Sequence, residues 1–206
     1  MTGKTQQRGR ETRDRIVEAA IRILARAGAQ AITHRAAAQE AGVSLALTTY
    51  HFASRDDILR QVYDRLYEGE LQRFREIYRT ARTEDHSETE IIDYVSTQVI
   101  REATEFREDS IAGFELLTEA FRRRELGEAA LAVFDEKMQF WSKTMATMGS
   151  DDAELDAQLM LCTSLGSFLI LMARGRLDSD LAATRRKIQY DVHSLFSAFP
   201  PVEGKG

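Results

Sequence analysis

The residues best placed to do chemistry in this sequence lie between Thr33 and Arg55, THRAAAQEAGVSLALTTYHFASR. Their chemistry is recognition rather than bond-making. Thr33 and Ser44 each precede a short run of helix formers, and each hydroxyl can accept from an orphan amide as an N-cap. His34 to Ala41 is alanine-rich, with strong intrinsic helix preference. Gly42 follows at the position where a left-handed residue costs least. After Val43 and Ser44, Leu45 to His51 is long enough for two more turns. A short helix, a tight glycine turn and a second short helix are the sequence form of a helix-turn-helix. In that motif the second helix lies in the DNA major groove. The small alanines at 36, 37, 38 and 41 let the two helices approach closely. The plainer alternative is an ordinary helical hairpin inside a larger bundle.

The rest of the chain carries no catalytic pattern. The histidines, His34, His51, His86 and His193, are scattered. None lies in H-E-x-x-H, and none follows a glutamate by three residues as in a di-iron carboxylate bundle. There is no Cys-x-x-Cys, P-loop, G-x-G-x-x-G or G-x-S-x-G. Cys162 sits in the most apolar segment and reads as packing rather than as a nucleophile. As the single cysteine it cannot form an internal disulfide, which suits a cytoplasmic protein. The sequence therefore predicts no catalytic residues, no cofactor and no metal site. An all-helical enzyme is the distant alternative.

Positioning such a motif falls to helices. The 206 residues include two prolines, Pro200 and Pro201, and helix formers dominate, so an all-α fold is expected. Residues 1–9 read as a disordered basic arm. From about Glu11 to Ala27, Ile16, Ala20, Ile23, Leu24 and Ala27 recur at helical spacing, and Gly28 ends the helix. Ser54 with Asp57 is a capping pair that starts a long helix to about Arg79. TARTEDHSE, 80–88, reads as a loop, and Ser87-x-x-Glu90 as a capping box. Further helices are expected at about 89–107, 110–125, 128–148, 153–174 and 180–198, with breaks at Glu108-Asp109, Gly127, Gly149-Ser150 and Gly175. The segment 155–173 is apolar on most of its circumference and carries Ser164, Gly166, Ser167 and Ala173 where close approach is possible. With 180–198 it reads as a two-fold dimer face. No stretch is expected to reach the roughly 18 apolar residues that span a bilayer, and the polar N-terminus lacks a signal core. No membrane partner is expected.

Charge is divided along the chain. The net charge is −5 overall, but residues 1–60 carry ten Lys/Arg against six Asp/Glu, and the remainder carries a net −9. A basic end on an acidic body suits contact with phosphates at one end. Arg8, Arg10, Arg13 and Arg15 crowd the start of the first helix, where the dipole disfavours cations.

The pattern T-x-R-x-x-A-x-x-A-G-V-S, then Y-H-F, then an S-R-x-x-I-L helix start resembles the TetR/AcrR family of transcriptional regulators. It is carried by Thr33, Arg35, Ala38, Ala41, Gly42, Val43, Ser44, Tyr50, His51, Phe52, Ser54, Arg55, Ile58 and Leu59. The specific match covers about 11–70, and beyond it only the architecture is similar. The resemblance implies an N-terminal three-helix domain with its helix-turn-helix (1–54), joined by a long helix to a helical body for effector binding and dimerisation (55–206). It also implies a homodimer on a pseudo-palindromic operator. Three positions depart from the family. Thr49 stands where a phosphate-contacting tyrosine is frequent, with Tyr50 one residue later. Ala46 replaces a Gly or Pro, and Thr48 a Leu. Base-reading candidates are Arg35, Leu45, Ala46 and Tyr50. Phosphate candidates are Thr33, Ser44, Thr49, His51 and Arg55, with Arg8 and Arg10 on the arm.

The resemblance further implies a small-molecule pocket in the body. Phe114, Phe121, Phe140, Trp141 and Met145 would wall it, Glu115 and Thr118 would be its polar anchors, and Cys162 and Gly166 would lie near its dimer-facing side. The effector is then hydrophobic, with a hydrogen-bond donor or a positive charge. Glu115 has a competing role as the partner of Arg101 or Arg174. A body without a pocket, controlled by a protein partner or by abundance, is the competing function.

Overall fold

The computed structural model describes residues 2–80, 87–174 and 181–196, and among them it contains helices and no strand. The element order is α1 Thr2–Ala27, a 3₁₀ turn Ala29–Ala31, α2 His34–Ala41, α3 Leu45–His51, α4 Arg55–Thr80 and α5 Glu88–Ala103. Then come α6 Arg107–Ala120, α7 Arg124–Thr147, α8 Ala153–Arg174 and α9 Leu181–Phe196. Packing divides the chain into two compact units, 1–75 with 108–131 and 76–107 with 132–206. Thus α6 returns to the unit that contains the helix-turn-helix.

In the first unit α1 supplies Ile16, Val17, Ala20, Ile23 and Leu24, all buried. Phe52, Ile58, Leu59, Val62 and Leu66 meet them from the α3–α4 side, and Ala112, Leu116 and Ala120 from α6. Ala37, Ala38 and Ala41 are buried, so the alanines do bring α1, α2 and α3 close. In the second unit α5, α8 and α9 pack against one another. Ile91, Val95 and Val99 of α5 and Ile188, Val192 and Phe196 of α9 are buried. The expected Ser87–Glu90 capping box is present on both its arms.

Three boundaries differ from the sequence reading. Residues from Thr2 are helical rather than disordered. No proline interrupts them, Gln6, Gln7, Arg8 and Arg10 favour helix, and the two glycines, Gly3 and Gly9, cost only about 1 kcal/mol each. Thr12 Oγ1 donates to the Arg8 carbonyl at 2.9 Å, a helical i−4 contact. Glu108 and Asp109 do not break a helix but occupy the first turn of α6, where the dipole favours them. The break lies just before, at Thr104, whose amide turns back to the Arg101 carbonyl. Gly127 falls inside α7, and the break expected there comes at Phe121–Arg123, before α7 begins. Gly28 and Gly149 end helices as expected, at φ 75° and 87°. Most of the loop read over 80–88, and Gly175, Pro200 and Pro201, lie outside the described residues.

By length and composition alone, α8 reaches the apolar length that the sequence reading expected of no stretch. Ala153–Ala173 has mean hydropathy 1.6, long and apolar enough by composition, and only 22% of the window is buried within the chain. The apolar circumference seen in the sequence is therefore real, and Leu155, Leu159, Leu165, Leu169 and Ile170 of it face outward.

Candidate nucleic-acid interface

The helix-turn-helix is built from its caps. Thr33 Oγ1 accepts from the Ala36 amide at 3.0 Å and Ser44 Oγ from the Leu47 amide at 3.2 Å. A hydroxyl used as an acceptor keeps its hydrogen, so both exposed caps can still donate to a phosphate oxygen. Gly42 adopts φ 64°, ψ 39°, the left-handed turn that only glycine makes without cost. Arg15 fastens the turn by donating to the Ala41 carbonyl at 2.8 Å. Arg22 and Arg26 clasp Glu40 at 2.9 and 3.1 Å. Hydrogen bonds from these two guanidiniums hold the Glu40 carboxyl below its ordinary range.

On α3 the inward side is Thr48, fully buried, with Oγ1 returned to the Ser44 carbonyl. Thr48 therefore fills a core position in place of the family's leucine. Leu45, Ala46, Thr49 and Tyr50 all face out, Tyr50 with 82% of its surface exposed. The Thr49 hydroxyl donates to the Leu45 and Ala46 carbonyls, each 3.1 Å away. Tyr50 stands edge-on to His51, with ring centroids 5.1 Å apart. His34 Nε2 lies 2.9 Å from the Phe52 carbonyl. Arg35 is exposed and, among the described residues, makes no ion pair.

Arg55 is placed differently from its expected phosphate role. Its Nε donates to the Ile32 carbonyl at 3.0 Å and its Nη2 to the Ala29 carbonyl at 2.6 Å. Two of its nitrogens thus brace the strand-like link into α2, while Nη1 lies 3.7 Å from Asp56. Ser54 and Asp57 cap α4 reciprocally at 3.0 and 3.1 Å.

The effector candidates fall in both units. In the first, Glu115 and Thr118 are exposed, Phe114 is half-buried, and Phe121 leaves 79% of its surface to solvent. Thr118 Oγ1 donates to the Glu115 carbonyl at 2.8 Å. The Glu115 carboxylate lies over Gly28, where a Cβ would come within 3.3 Å of Oε2. Arg101, one of its two proposed partners, is taken by Glu105 at 2.9 Å and stacks over Phe106; the side chain of the other, Arg174, lies outside those described. In the second unit Trp141 and Met145 are buried. Phe140 meets Trp141 edge-on at 4.8 Å, and Tyr94 of α5 tilts towards it at 6.0 Å. Cys162 is exposed, and nothing stands within 4 Å of where Gly166 would carry a Cβ.

Sequence reasoning missed a buried carboxylate on α6. Glu119 is 5% exposed and is held by Arg122 at 3.6 Å and by Arg123 Nε at 3.1 Å. Arg123 Nη1 reaches Asp56 of α4 at 2.7 Å, and this hydrogen bond pulls the Asp56 carboxyl below its usual range. The i+3 and i+4 spacing was visible in the sequence; the burial was not.

A helical unit presenting a capped helix-turn-helix, with a second unit that is helical among the described residues, defines a class of DNA-binding regulators. Residues 16–62 match the bacterial regulatory proteins of the TetR family, and 86–192 match the tetracyclin repressor-like C-terminal domain. The chain belongs to the TetR family of DNA-binding transcriptional regulators. No curated protein matches it in sequence. Among solved structures it is similar to a transcriptional regulator of Rhodococcus sp. Rha1, at TM-score 0.77 and 17% identity over 91% of this chain and 97% of that one. A TetR-family regulator of Mesorhizobium loti gives TM-score 0.75 at 15% identity, covering 93% and 98%. A regulator of Saccharomonospora viridis in complex with choline gives 0.72 at 22% identity, covering 89% and 96%.

Proposed function

We propose that this protein is a homodimeric repressor that holds a pseudo-palindromic DNA operator and releases it on binding a small hydrophobic effector. The observation that carries the reading is the outer face of α3, where Leu45, Ala46, Thr49 and Tyr50 stand clear of the core beside the exposed caps Thr33 and Ser44. Arg35 takes guanine in bidentate fashion, and Leu45 or Ala46 meets a thymine methyl. Thr33, Ser44 and His51 are left for phosphate. Thr49 can still accept a phosphate-bound water but has its own proton committed to its helix, so Tyr50 is the better donor.

The dimer face is the outer stripe of α8, where Leu155, Leu159, Cys162, Gly166 and Leu169 recur at helical spacing and are wholly or partly exposed. Leu181 and Tyr190 of α9 extend it. Cys162 and Gly166 belong to this seam in the reading. Two-fold pairing gives half-sites about one helical turn apart or a small multiple of it.

The effector reading rests on the aromatic group of Tyr94, Phe140 and Trp141. Aromatic faces suit an organic cation, and a fold relative is seen with choline. Selection of duplexes from a random library by the full-length protein tests DNA reading, and titration with quaternary ammonium compounds tests the effector. The expected result is a two-fold symmetric duplex, released by a compound that changes Trp141 fluorescence. Release without any change at Trp141 places the effector elsewhere. A body filled by its own side chains, as buried Trp141, Met145 and Met160 also permit, gives no release by any compound.

A further inference from the structure

Nine arginines fall within the first 60 residues, and the fold sorts them. Arg15, Arg22, Arg26 and Arg55 are committed to the carbonyls and to the carboxylate already described. Arg60 lies 3.6 Å from Asp57, and Arg13 sits over the Phe52 ring at 5.5 Å. Arg8, Arg10 and Arg35 are left. All three are exposed, and among the described residues none of their side chains makes an ion pair or hydrogen bond.

Arg35 is in the helix-turn-helix; Arg8 and Arg10 are not. They lie on turns of α1 that have outrun the core. The buried stripe of α1 begins at Ile16, yet the helix starts at Thr2, about 20 Å earlier at 1.5 Å per residue. These turns bury nothing apolar, so packing within the isolated protein does not account for them. Their position is also fixed. A Cβ at Gly9 would lie 3.9 Å from His51 Cε1, so α1 passes beside the end of the reading helix at the residue between the two arginines. Two residues apart on a helix, Arg8 and Arg10 leave that contact on opposite sides.

We propose that the first turns of α1 form a rigid second DNA contact, in which Arg8 and Arg10 neutralise backbone phosphates bordering the groove that α3 enters. This rests on the DNA reading of α3 and extends it. The site consists of the two side chains and their placement beside His51, not the helix terminus. The contact is independent of sequence, since guanidinium on phosphate carries no base information. It makes the helix start itself a condition of binding.

The test uses the full-length protein with two probes, a duplex it enriches from a random library and a scrambled duplex of the same length, titrated at several KCl concentrations. The double variant Arg8→Ala/Arg10→Ala is expected to lose about tenfold or more on both probes alike. Its slope of log K against log salt should fall by about 3 to 4, for four cations per dimer. Arg8→Lys/Arg10→Lys should keep the slope, and thermal unfolding of both variants should match the wild type, because neither side chain has a partner to lose. Gly9→Pro, which breaks the helix between them, should bind like the double alanine variant. A double alanine variant with wild-type affinity and slope overturns the contact, and a fully binding Gly9→Pro overturns its rigidity. If the wild type enriches no duplex, the DNA reading of α3 falls as well. If Arg35→Ala alters base preference while the α1 variant changes nothing, only this proposal falls.

Discussion

Arg55 holds two carbonyls at once, and its side chain is three-quarters covered. Hydrogen bonds from a charged donor contribute about 1.5–3 kcal/mol each. Arg55→Ala is therefore expected to lower stability by about 2 kcal/mol or more, read as an earlier urea midpoint. Weaker DNA binding would follow from a displaced α2, not from a missing phosphate contact. An Arg55→Ala protein with the wild-type midpoint and a flattened salt dependence would restore the phosphate role. Tyr63 makes the opposite case. Its hydroxyl is buried and makes no hydrogen bond of ordinary geometry, with the Tyr67 hydroxyl beside it, and burial, with Tyr67 adjacent, pushes its pKa well above the usual phenol range. Tyr63→Phe removes an unsatisfied group and keeps the ring, so stability should be unchanged or rise by up to about 1 kcal/mol. A clear loss would mean the hydroxyl has a partner after all. Glu40 sets an acid limit on the motif. Its carboxyl pKa is depressed by Arg22 and Arg26, so its contribution is complete above the unfolded value near 4.5 and is lost as pH falls through the lower folded value.

Among the elements, α8 carries the sharpest conflict between composition and burial. Its outer stripe leaves Leu155 50%, Leu159 41% and Leu169 45% exposed, more apolar surface than a lone helix face leaves to water without a partner. Leu159→Glu should convert the dimer to monomer, measured by sedimentation. It should also abolish operator binding, because one protomer addresses only one half-site. A dimer that survives Leu159→Glu would move the seam off this stripe. The short element α6 has a different task. Its inner residues Ala112, Leu116 and Ala120 complete the core of the DNA-binding unit, and its end ties to the first turn of α4 through Arg123 and Asp56.

At the scale of the whole molecule, the charge division and the fold tell one story. The ten basic residues of the first 60 do not form a diffuse basic surface. Most of the arginines among them build the helix-turn-helix, and the three without partners among the described residues lie on α1 and α2. The acidic remainder, net −9, disfavours contact between that part of the chain and the phosphates of DNA. A ligand that shifts the two reading helices relative to the half-sites can act only through its different affinity for the bound and released states. Reciprocity then predicts that operator DNA weakens the effector's own binding by the same factor. Titrating Trp141 fluorescence with and without the duplex checks this, and equal affinities would mean the compound is no effector.

Local chemistry was legible in the sequence because its causes are local. Thr33, Gly42, Ser44, Ser54 and the Ser87–Glu90 pair each act within four residues, and the structure uses all of them as caps or turns. The family pattern over 33–59 was legible for the same reason. Helix ends without a cap signal were not, so Gly127 and Glu108-Asp109 misled where Thr104 and Phe121 decided. What only the tertiary structure settled was which charges were already taken. Arg55 and Arg35 are both arginines of one motif, but whether a guanidinium meets a carbonyl or stays free depends on residues more than twenty positions away. The same is true of α8, whose composition showed it to be apolar but whose outward stripe only the packing of α5 and α9 exposed.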